Sequence, residues 1–264
     1  MLIIGGVLLI WSVFIEPYIL TQTTYTLKNN QLKGLKIVYI SDIHTALYQH
    51  WFLKRIVDQV NALNPDIILL GGDFVKGHRK KSLADMNDIA LALKKLNAPI
   101  GVYAVLGNHD GYIDSTEMKH ALKQNDIIVL SNAYKLVKYR NTPFFIAGTE
   151  DMLTEHSDVQ KAVPQSDYPI ILLSHEPDIF PQVPQHVFLT LSGHTHGGQV
   201  KLPFYGAILI PSIYGRKYAE GIVEENGKKI IISRVSVSAF GRFGLIVFRK
   251  LLLFILNNYS VRGA

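Results

Sequence analysis

Short apolar runs, each closed by a polar cluster, dominate the first half of the chain. "LKIVYIS" (35–41), "PDIILLGGD" (65–73) and "IGVYAVLGNHD" (100–110) are rich in β-branched and aliphatic residues and end in turn residues. They are too short for buried helices, so they predict buried strands. Between them the period changes. Phe52, Ile56, Val60 and Leu63 recur at helical spacing over residues 50–63. Leu83, Met86, Ile89, Leu93 and Leu96 do the same over residues 83–96. Asp114 and Glu117 form a capping-box pattern, which opens a short helix reaching about Gln124.

After residue 124 the helical period fades. "IIVL", "YKLVKY", "FFIAGT", "IILLS" and "FLTLSG" read as strands with short connections. Strands alternating with helices imply parallel pairing, and later hairpins add antiparallel strands. The expected class is α/β: a four-layer α/β/β/α sandwich of two mixed sheets, with helices outside. Residues 21–264 are taken as one domain, because 48% hydrophobic content supplies a large core.

Residues 1–20 stand apart. "MLIIGGVLLIWSVFI" carries no charged side chain and ends at Glu16-Pro17. It lacks the positive start of a secretory signal, and no alanine precedes Ala46 to make a cleavage site. It is read as a short apolar helix that anchors the chain to a membrane, with Trp11 and Tyr18 as interfacial aromatics. Lys28, Lys33 and Lys36 follow it and nothing basic precedes it. The positive-inside rule then puts the globular part on the cytoplasmic side of the cell membrane.

Charge and composition narrow the chemistry. Lys and Arg number 27 against 21 Asp and Glu, a formal net charge of +6. That suits phosphate-bearing or membrane-surface partners. The basic residues are scattered, apart from Lys76, Arg79, Lys80 and Lys81, and no basic stripe is interleaved with aromatics. Nucleic acid is therefore not expected. The chain has no cysteine, which excludes disulfides, iron–sulfur clusters, thiolate zinc sites and cysteine nucleophiles. A bound metal must rest on His, Asp, Glu or Asn, which suits manganese, magnesium, iron or zinc.

Five polar clusters follow five expected strands: Ser41-Asp42-Ile43-His44, Gly71-Gly72-Asp73, Gly107-Asn108-His109-Asp110, Ser174-His175 and Gly193-His194-Thr195-His196. In open α/β sheets, sites collect at the carboxyl ends of strands. Side chains at i and i+2 of an extended segment point the same way. Asp42 with His44, and His194 with His196, can then each face one point. Two such imidazoles can reach two adjacent cations, which in paired sites lie about 3.5–4 Å apart. Asp73 could bridge them, and Asn108 offers a neutral hard oxygen.

In this order, "SDIH", "GGD", "GNHD", "SHEPD" and "GHTHGGQ" resemble the calcineurin-like metallophosphoesterase superfamily over roughly residues 33–240. "LSGHTHGGQVKLP" and "YGRKYAEG" are similar to its membrane-associated YaeI/YkuE-type phosphodiesterase branch, to which UDP-2,3-diacylglucosamine pyrophosphatases are related. The resemblance implies two divalent ions, with manganese the first choice. Asp42, His44 and His196 would hold one, Asn108, His175 and His194 the other, and Asp73 would bridge. His109 would contact the phosphate as general acid or transition-state stabiliser, with Asp110 orienting it through its other ring nitrogen.

The implied reaction is hydrolysis of a phosphodiester or diphosphate bond by a metal-activated hydroxide, with a lipid-linked substrate such as UDP-2,3-diacylglucosamine in view. A phosphomonoesterase or protein phosphatase, and a non-catalytic binding scaffold, are the alternatives. Two stretches depart from the branch. "IHTALYQH" follows the first aspartate, and the chain ends in "LIVFRKLLLFIL" without a Pro-Glu pair before it. That last stretch is read as the final strand with its flank, or alternatively as an apolar lip at a membrane surface. The remaining histidines, His50, His78, His120, His156 and His186, are read as ordinary surface residues.

Overall fold

The computed structural model describes residues 20–45, 50–78, 81–82, 84–198, 200–202, 206–233 and 249–257. Residues 1–19 of the expected anchor helix, Arg79, Lys80 and residues 46–49 lie outside the described residues, whereas Leu20, placed in that helix, is the first residue of a strand. In chain order the elements are β1 (Leu20–Lys28), β2 (Lys36–Ile40), α1 (His50–Ala62), β3 (Ile67–Leu70), β4 (Gly77–His78), β5 (Lys81–Ser82), α2 (Met86–Leu93), β6 (Val102–Ala104) and α3 (Asn108–Gln124). Then come β7 (Ile128–Val129), β8 (Ala133–Tyr139), β9 (Thr142–Gly148), α4 (Val159–Ala162), β10 (Ile170–Leu173) and β11 (Leu189–Ser192). The chain continues through β12 (Val200–Leu202), β13 (Gly206–Leu209), β14 (Gly221–Glu225), β15 (Lys228–Ile232) and β16 (Arg249–Asn257). Short 3₁₀ segments cover Pro177–Gln182 and Gly215–Tyr218.

Among the described residues two six-stranded sheets form, in the orders β1-β16-β2-β3-β6-β7 and β14-β15-β11-β10-β9-β8. Both are mixed. β2, β3, β6 and β7 run parallel, and β16 is antiparallel to β2. In the second sheet β9, β10, β11 and β15 run parallel, with β8 and β14 added antiparallel through hairpins. The expected two-sheet sandwich is the fold observed.

The layers follow from side-chain alternation along each strand. In β2, Val38 and Ile40 face outward to Phe52, Ile56 and Val60 of α1 and to Met86, Ile89 and Leu93 of α2. Ile37 and Tyr39 face inward, where they meet Phe144, Ile146, Ile171, Leu173 and Leu191 of the second sheet. On its far side the second sheet turns Ile170, Leu172, Ile230 and Ile232 toward Val159, Phe180 and Tyr218. Helix, sheet, sheet and short helix make four layers. Both sheets send β2, β3, β6, β10 and β11 toward one edge, and every polar cluster of the sequence leaves from it.

The last strand sits centrally rather than at a rim. β16 enters between β1 and β2, parallel to the first and antiparallel to the second. Leu252, Phe254 and Leu256 join the inter-sheet core and Leu253 joins the helix side. The reading of "LIVFRKLLLFIL" as a final strand agrees with this from Arg249 onward. The helix expected from Asp114 begins earlier, at Asn108. Asp114 is its break, at φ −166° and ψ 99°, and its carboxylate accepts the Glu117 N–H at 3.0 Å. The capping pattern is real, but it restarts a helix whose first turn is built on the GNHD motif.

Lys228 secures the segment that follows His175. It is buried, and its ammonium donates to the carbonyls of Phe180 (2.9 Å), Pro181 (3.1 Å) and Val183 (2.9 Å). These carbonyls close the 3₁₀ segment, where helix ends leave acceptors short of backbone donors, and Phe180's also accepts the Val183 N–H at 3.1 Å. Lys228→Met should lower stability by about 2–3 kcal/mol. A urea titration would show this as a lower midpoint at unchanged slope.

Candidate metal centre

Three of the five loops place their side chains through unusual backbone. Asp42, His44, Asp73, His194 and His196 have φ between 44° and 67°, the left-handed region. This corrects the expectation that Asp42/His44 and His194/His196 converge from extended segments. The loops curl instead, and tight left-handed turns bring alternate side chains to one place at about 1–2 kcal/mol per residue. Backbone bonds hold the curl: Asp42 N–H donates to the Gly72 carbonyl and His44 N–H to the Asp73 carbonyl, each at 2.9 Å. The neighbouring glycines are there because backbones nearly touch. A Cβ on Gly193 would collide with Ser41 Oγ and Asp42 Oδ2, and one on Gly107 with Asp73 Oδ1.

All eight sequence-selected residues meet at this edge. One ligand atom from each of Asp42, His44, Asp73 and His196 lies within 4.8 Å of the others, a cluster able to hold a metal ion. Asp73 Oδ2 is 3.3 Å from His44 Nε2 and 3.3 Å from His175 Nε2. Asp42 Oδ1 is 3.8 Å from His196 Nε2 and 4.0 Å from His175 Nε2. His194 Nδ1 faces Asn108 Oδ1 at 2.9 Å, and the His175 and His194 rings stand 5.2 Å apart. The His109 ring lies edge-on to that of His44, 4.6 Å between centroids.

The donor set fits a divalent cation. Asp42 Oδ2 and His175 Nε2 are buried and make no hydrogen bond among the described residues. Buried polar atoms are normally satisfied, so such atoms pointing into one cluster mark a cation's place. Imidazole nitrogen with carboxylate and amide oxygen is the chemistry of manganese, iron, zinc and magnesium sites.

Backbone carbonyls set the imidazole tautomers. His175 Nδ1 donates to the Gly71 carbonyl at 2.7 Å, and His109 Nδ1 to the Gly77 carbonyl at 2.7 Å. A carbonyl only accepts, so each Nδ1 carries a proton and ring chemistry falls to Nε2. Sequence reasoning missed both carbonyls, since any residue type can supply one. It also misplaced Asp110. Its carboxylate does not orient His109; it accepts the N–H groups of Asp73 (2.9 Å), Phe74 (2.9 Å), Val75 (3.2 Å) and Gly107 (3.0 Å). The signal was present, because Asp110 stands at the third helical position after the cap Gly107, where a side chain reaches back to the cap N–H.

Electrostatics follow burial and pairing. Burial raises the Asp73 carboxyl, but the His175 and His44 imidazoles outweigh it and hold it well below the usual range. Burial also depresses the His175 imidazolium, but Asp73 and Asp42 reverse this and raise it well above its usual value. Burial, then the His175 charge, pushes His194 down to about 3, which keeps it neutral. Burial and the Asp73 charge lift Asp110 to about 7.

Taken together, a two-sheet α/β sandwich with His, Asp and Asn side chains gathered at its carboxyl edge defines a metal-dependent hydrolase. This chain belongs to the calcineurin-like phosphoesterase family, whose profile matches residues 35–204. It is a metal-dependent phosphoester hydrolase. It is 32% identical to the metallophosphoesterase YkuE of Bacillus subtilis, over 84% of this chain and 80% of that protein. It is 29% identical to the phosphodiesterase YaeI of Escherichia coli, over 78% and 76% of the two chains. It is 30% identical to the UDP-2,3-diacylglucosamine pyrophosphatase LpxG of Chlamydia muridarum, over 74% of each. The solved NAD nucleotidase of Haemophilus influenzae shares the fold, with a TM-score of 0.51 at 17% identity, over 78% of this chain and 46% of that one.

Two outcomes follow from this geometry. Asp110→Ala should cost about 2–4 kcal/mol, because four backbone donors lose their acceptor. It should also weaken manganese binding 10–100-fold by loosening the Asp73 loop; calorimetry on the chelator-treated protein measures both. Metal uptake needs His175 without its Nε2 proton, so binding should release protons. The raised His175 pKa sets the sign: apparent affinity climbs with pH and keeps climbing above neutrality. Titrations in buffers of different ionisation enthalpy count the protons, and a pH-independent affinity contradicts the assignment.

Proposed function

We propose that the chain hydrolyses phosphodiester or diphosphate bonds at a dinuclear centre. Asp42, His44 and His196 would hold one ion, Asn108, His175 and His194 the other, and Asp73 would lie between. One observation carries this reading: Asp73 Oδ2 stands 3.3 Å from both His44 Nε2 and His175 Nε2, one imidazole of each set. Its second oxygen accepts the His109 N–H at 2.8 Å, which fixes the carboxylate between them. When bound, the cations supply Lewis acidity, which acidifies water and offsets phosphoryl charge.

The protein's own side chains do the rest. His109 sits at the cluster's edge with Nδ1 on the Gly77 carbonyl, so its Nε2 is the atom that meets the substrate. Water loses a proton to solvent and its oxygen adds to phosphorus, the bond to the leaving oxygen breaks, and that oxygen takes a proton from His109 Nε2, which solvent then restores. The Gly77 carbonyl fixes the ring orientation that presents Nε2. No serine or cysteine nucleophile takes part.

Manganese is the proposed ion, with magnesium, iron and zinc as other occupants of the same donors. Residues 1–20 would anchor the enzyme in the cell membrane, with residues 21–264 as a catalytic domain on the cytoplasmic side. Among the described residues no helix is long and apolar enough to cross a membrane. A lipid-linked diphosphate is the favoured substrate class. Its support is the likeness to LpxG, whose name gives UDP-2,3-diacylglucosamine as substrate, and the apolar sequence of residues 2–15.

With manganese, bis-p-nitrophenyl phosphate should be hydrolysed faster than p-nitrophenyl phosphate; the reverse order favours a phosphomonoesterase. His109→Ala should retain wild-type metal content while turnover falls roughly 10²–10⁴-fold. Metal analysis beside steady-state rates separates the two effects, and undiminished turnover removes His109 from the reaction.

A further inference from the structure

We propose that the catalytic edge of the sandwich faces a lipid bilayer, with Trp51, Leu153 and Ile213 entering the headgroup region from its rim. The proposal rests on residues 1–19 being a membrane anchor, and its basis is where Leu20, the residue after them, joins the fold. Leu20 pairs with Arg249 at the start of β16. β16 runs antiparallel to β2, with Leu252 opposite Tyr39 and Leu253 opposite Val38. Continuing that register back along β16 brings Arg249, and with it Leu20, level with Asp42. Only β16 lies between β1 and β2. At about 4.8 Å per strand, Leu20 stands about 10 Å to the side of the β2 end that carries Asp42. A chain entering β1 from a membrane therefore delivers the mouth of the site to the membrane surface.

The rim has the matching surface. Trp51 is the second residue of α1, which follows the Asp42–His44 loop, and is 52% exposed. Leu153 lies in the loop that leaves the same edge after β9 and is 58% exposed. Ile213 is 83% exposed on the loop entering β14. Gly221 of β14 pairs with Ile232, which pairs with Ser192 just before the His194–His196 turn. Thr195 Oγ1 donates to the Ala219 carbonyl at 2.7 Å, so this loop is fastened to the catalytic segment. Arg216 and Lys217 are exposed on it, suited to anionic headgroups, although Lys217 also pairs with Glu225. Aromatic and apolar side chains mixed with basic ones are what a membrane interface accepts. Tyr168 is also exposed, but it precedes β10 at the opposite end of the sheet. In this orientation the scissile phosphate arrives from the headgroup layer, so the substrate is an amphiphile held in the bilayer.

The two tryptophans, Trp11 and Trp51, allow a direct test with the full chain. The probes are vesicles of phosphatidylcholine and phosphatidylglycerol containing acyl-brominated phosphatidylcholine. In Trp11→Phe, Trp51 emission should be quenched by the brominated lipid. Adding Ile213→Asp or Leu153→Asp should reduce that quenching severalfold, whereas Tyr168→Asp should leave it intact. Both rim variants should keep the soluble rate on bis-p-nitrophenyl phosphate, and should one of them not fold, the other carries the test. In Trp51→Phe, Trp11 reports the anchor. Quenching of Trp11 without Trp51 overturns the orientation and leaves anchoring intact. Absence of both overturns orientation and anchoring together, while the soluble diester rate still judges the hydrolase reading.

Discussion

Asp42 and Asp73 are both buried in the seam between the sheets, and the structure is arranged around keeping positive charge between them. His175 Nε2 lies 3.3 Å from one carboxylate and 4.0 Å from the other. Opposite charges about 4 Å apart attract by roughly 4 kcal/mol at an effective dielectric near 20. Two carboxylates at similar range repel by a similar amount. Leaving either uncompensated would cost more than any single loop contact returns. Imidazolium or metal must balance them, which is why burial alone does not decide the direction of the shifts. Burial raises both carboxyls; it prevails at Asp42, which ends above its usual range, while the nearer His175 and His44 imidazoles carry Asp73 below it.

Bringing five loops to that seam strains the backbone, and local bonds hold it there. Asp110 is the central fastening. Its carboxylate joins the Asp73–Val75 turn to the cap of α3, so the candidate bridging residue and the turn carrying Asn108 and His109 move as one body. The Gly71 and Gly77 carbonyls then fix the two imidazoles whose Nε2 atoms matter most to the chemistry. Both fastenings come from main chain, so no residue type marks them in the sequence, although a Cβ at Gly71 would collide with Tyr39 Oη and Ser41 Oγ.

The strands and helices were legible because their periods are strong. The runs at 35–41, 65–73 and 100–110 became β2, β3 and β6, and the spacings at 50–63 and 83–96 became α1 and α2. The eight site residues were legible because each follows an apolar run, and runs end where sheets present chemistry. What sequence hid was conformation rather than identity. Nothing in "SDIH" or "GHTH" announces a left-handed turn, since only a few per cent of non-glycine residues adopt one even though Asp and His are enriched among them. The first turn of α3 was hidden because Asn108 and Gly111 have poor helix propensity, and the fastening by Asp110 outweighs it. Asp110 itself was visible, but its place beside His109 suggested the wrong partner. Residues 1–19 lie outside the described structure, so the anchor reading still stands on apolar pattern alone.

The two sheets contribute different chemistry to the seam. The first brings the carboxylates and the amide, Asp42, Asp73, Asn108 and Asp110, with His44 and His109. Among the candidate ligands the second contributes only imidazoles, His175, His194 and His196, with the buried carboxylates of Asp151 and Glu176 nearby. The close contacts of His175 and His196 with Asp42 and Asp73 therefore cross from one sheet to the other. A slide of one sheet over the other by an ångström would change every such distance at once. What resists it is the inter-sheet core, where Tyr39, Leu69 and Phe254 interlock with Phe144, Ile171 and Leu191. Packing of that density permits no intermediate registers. The spacing of any bound ions is thus set less by the loops that touch them than by apolar side chains in the layer beneath, which is where a change in metal preference would have to begin.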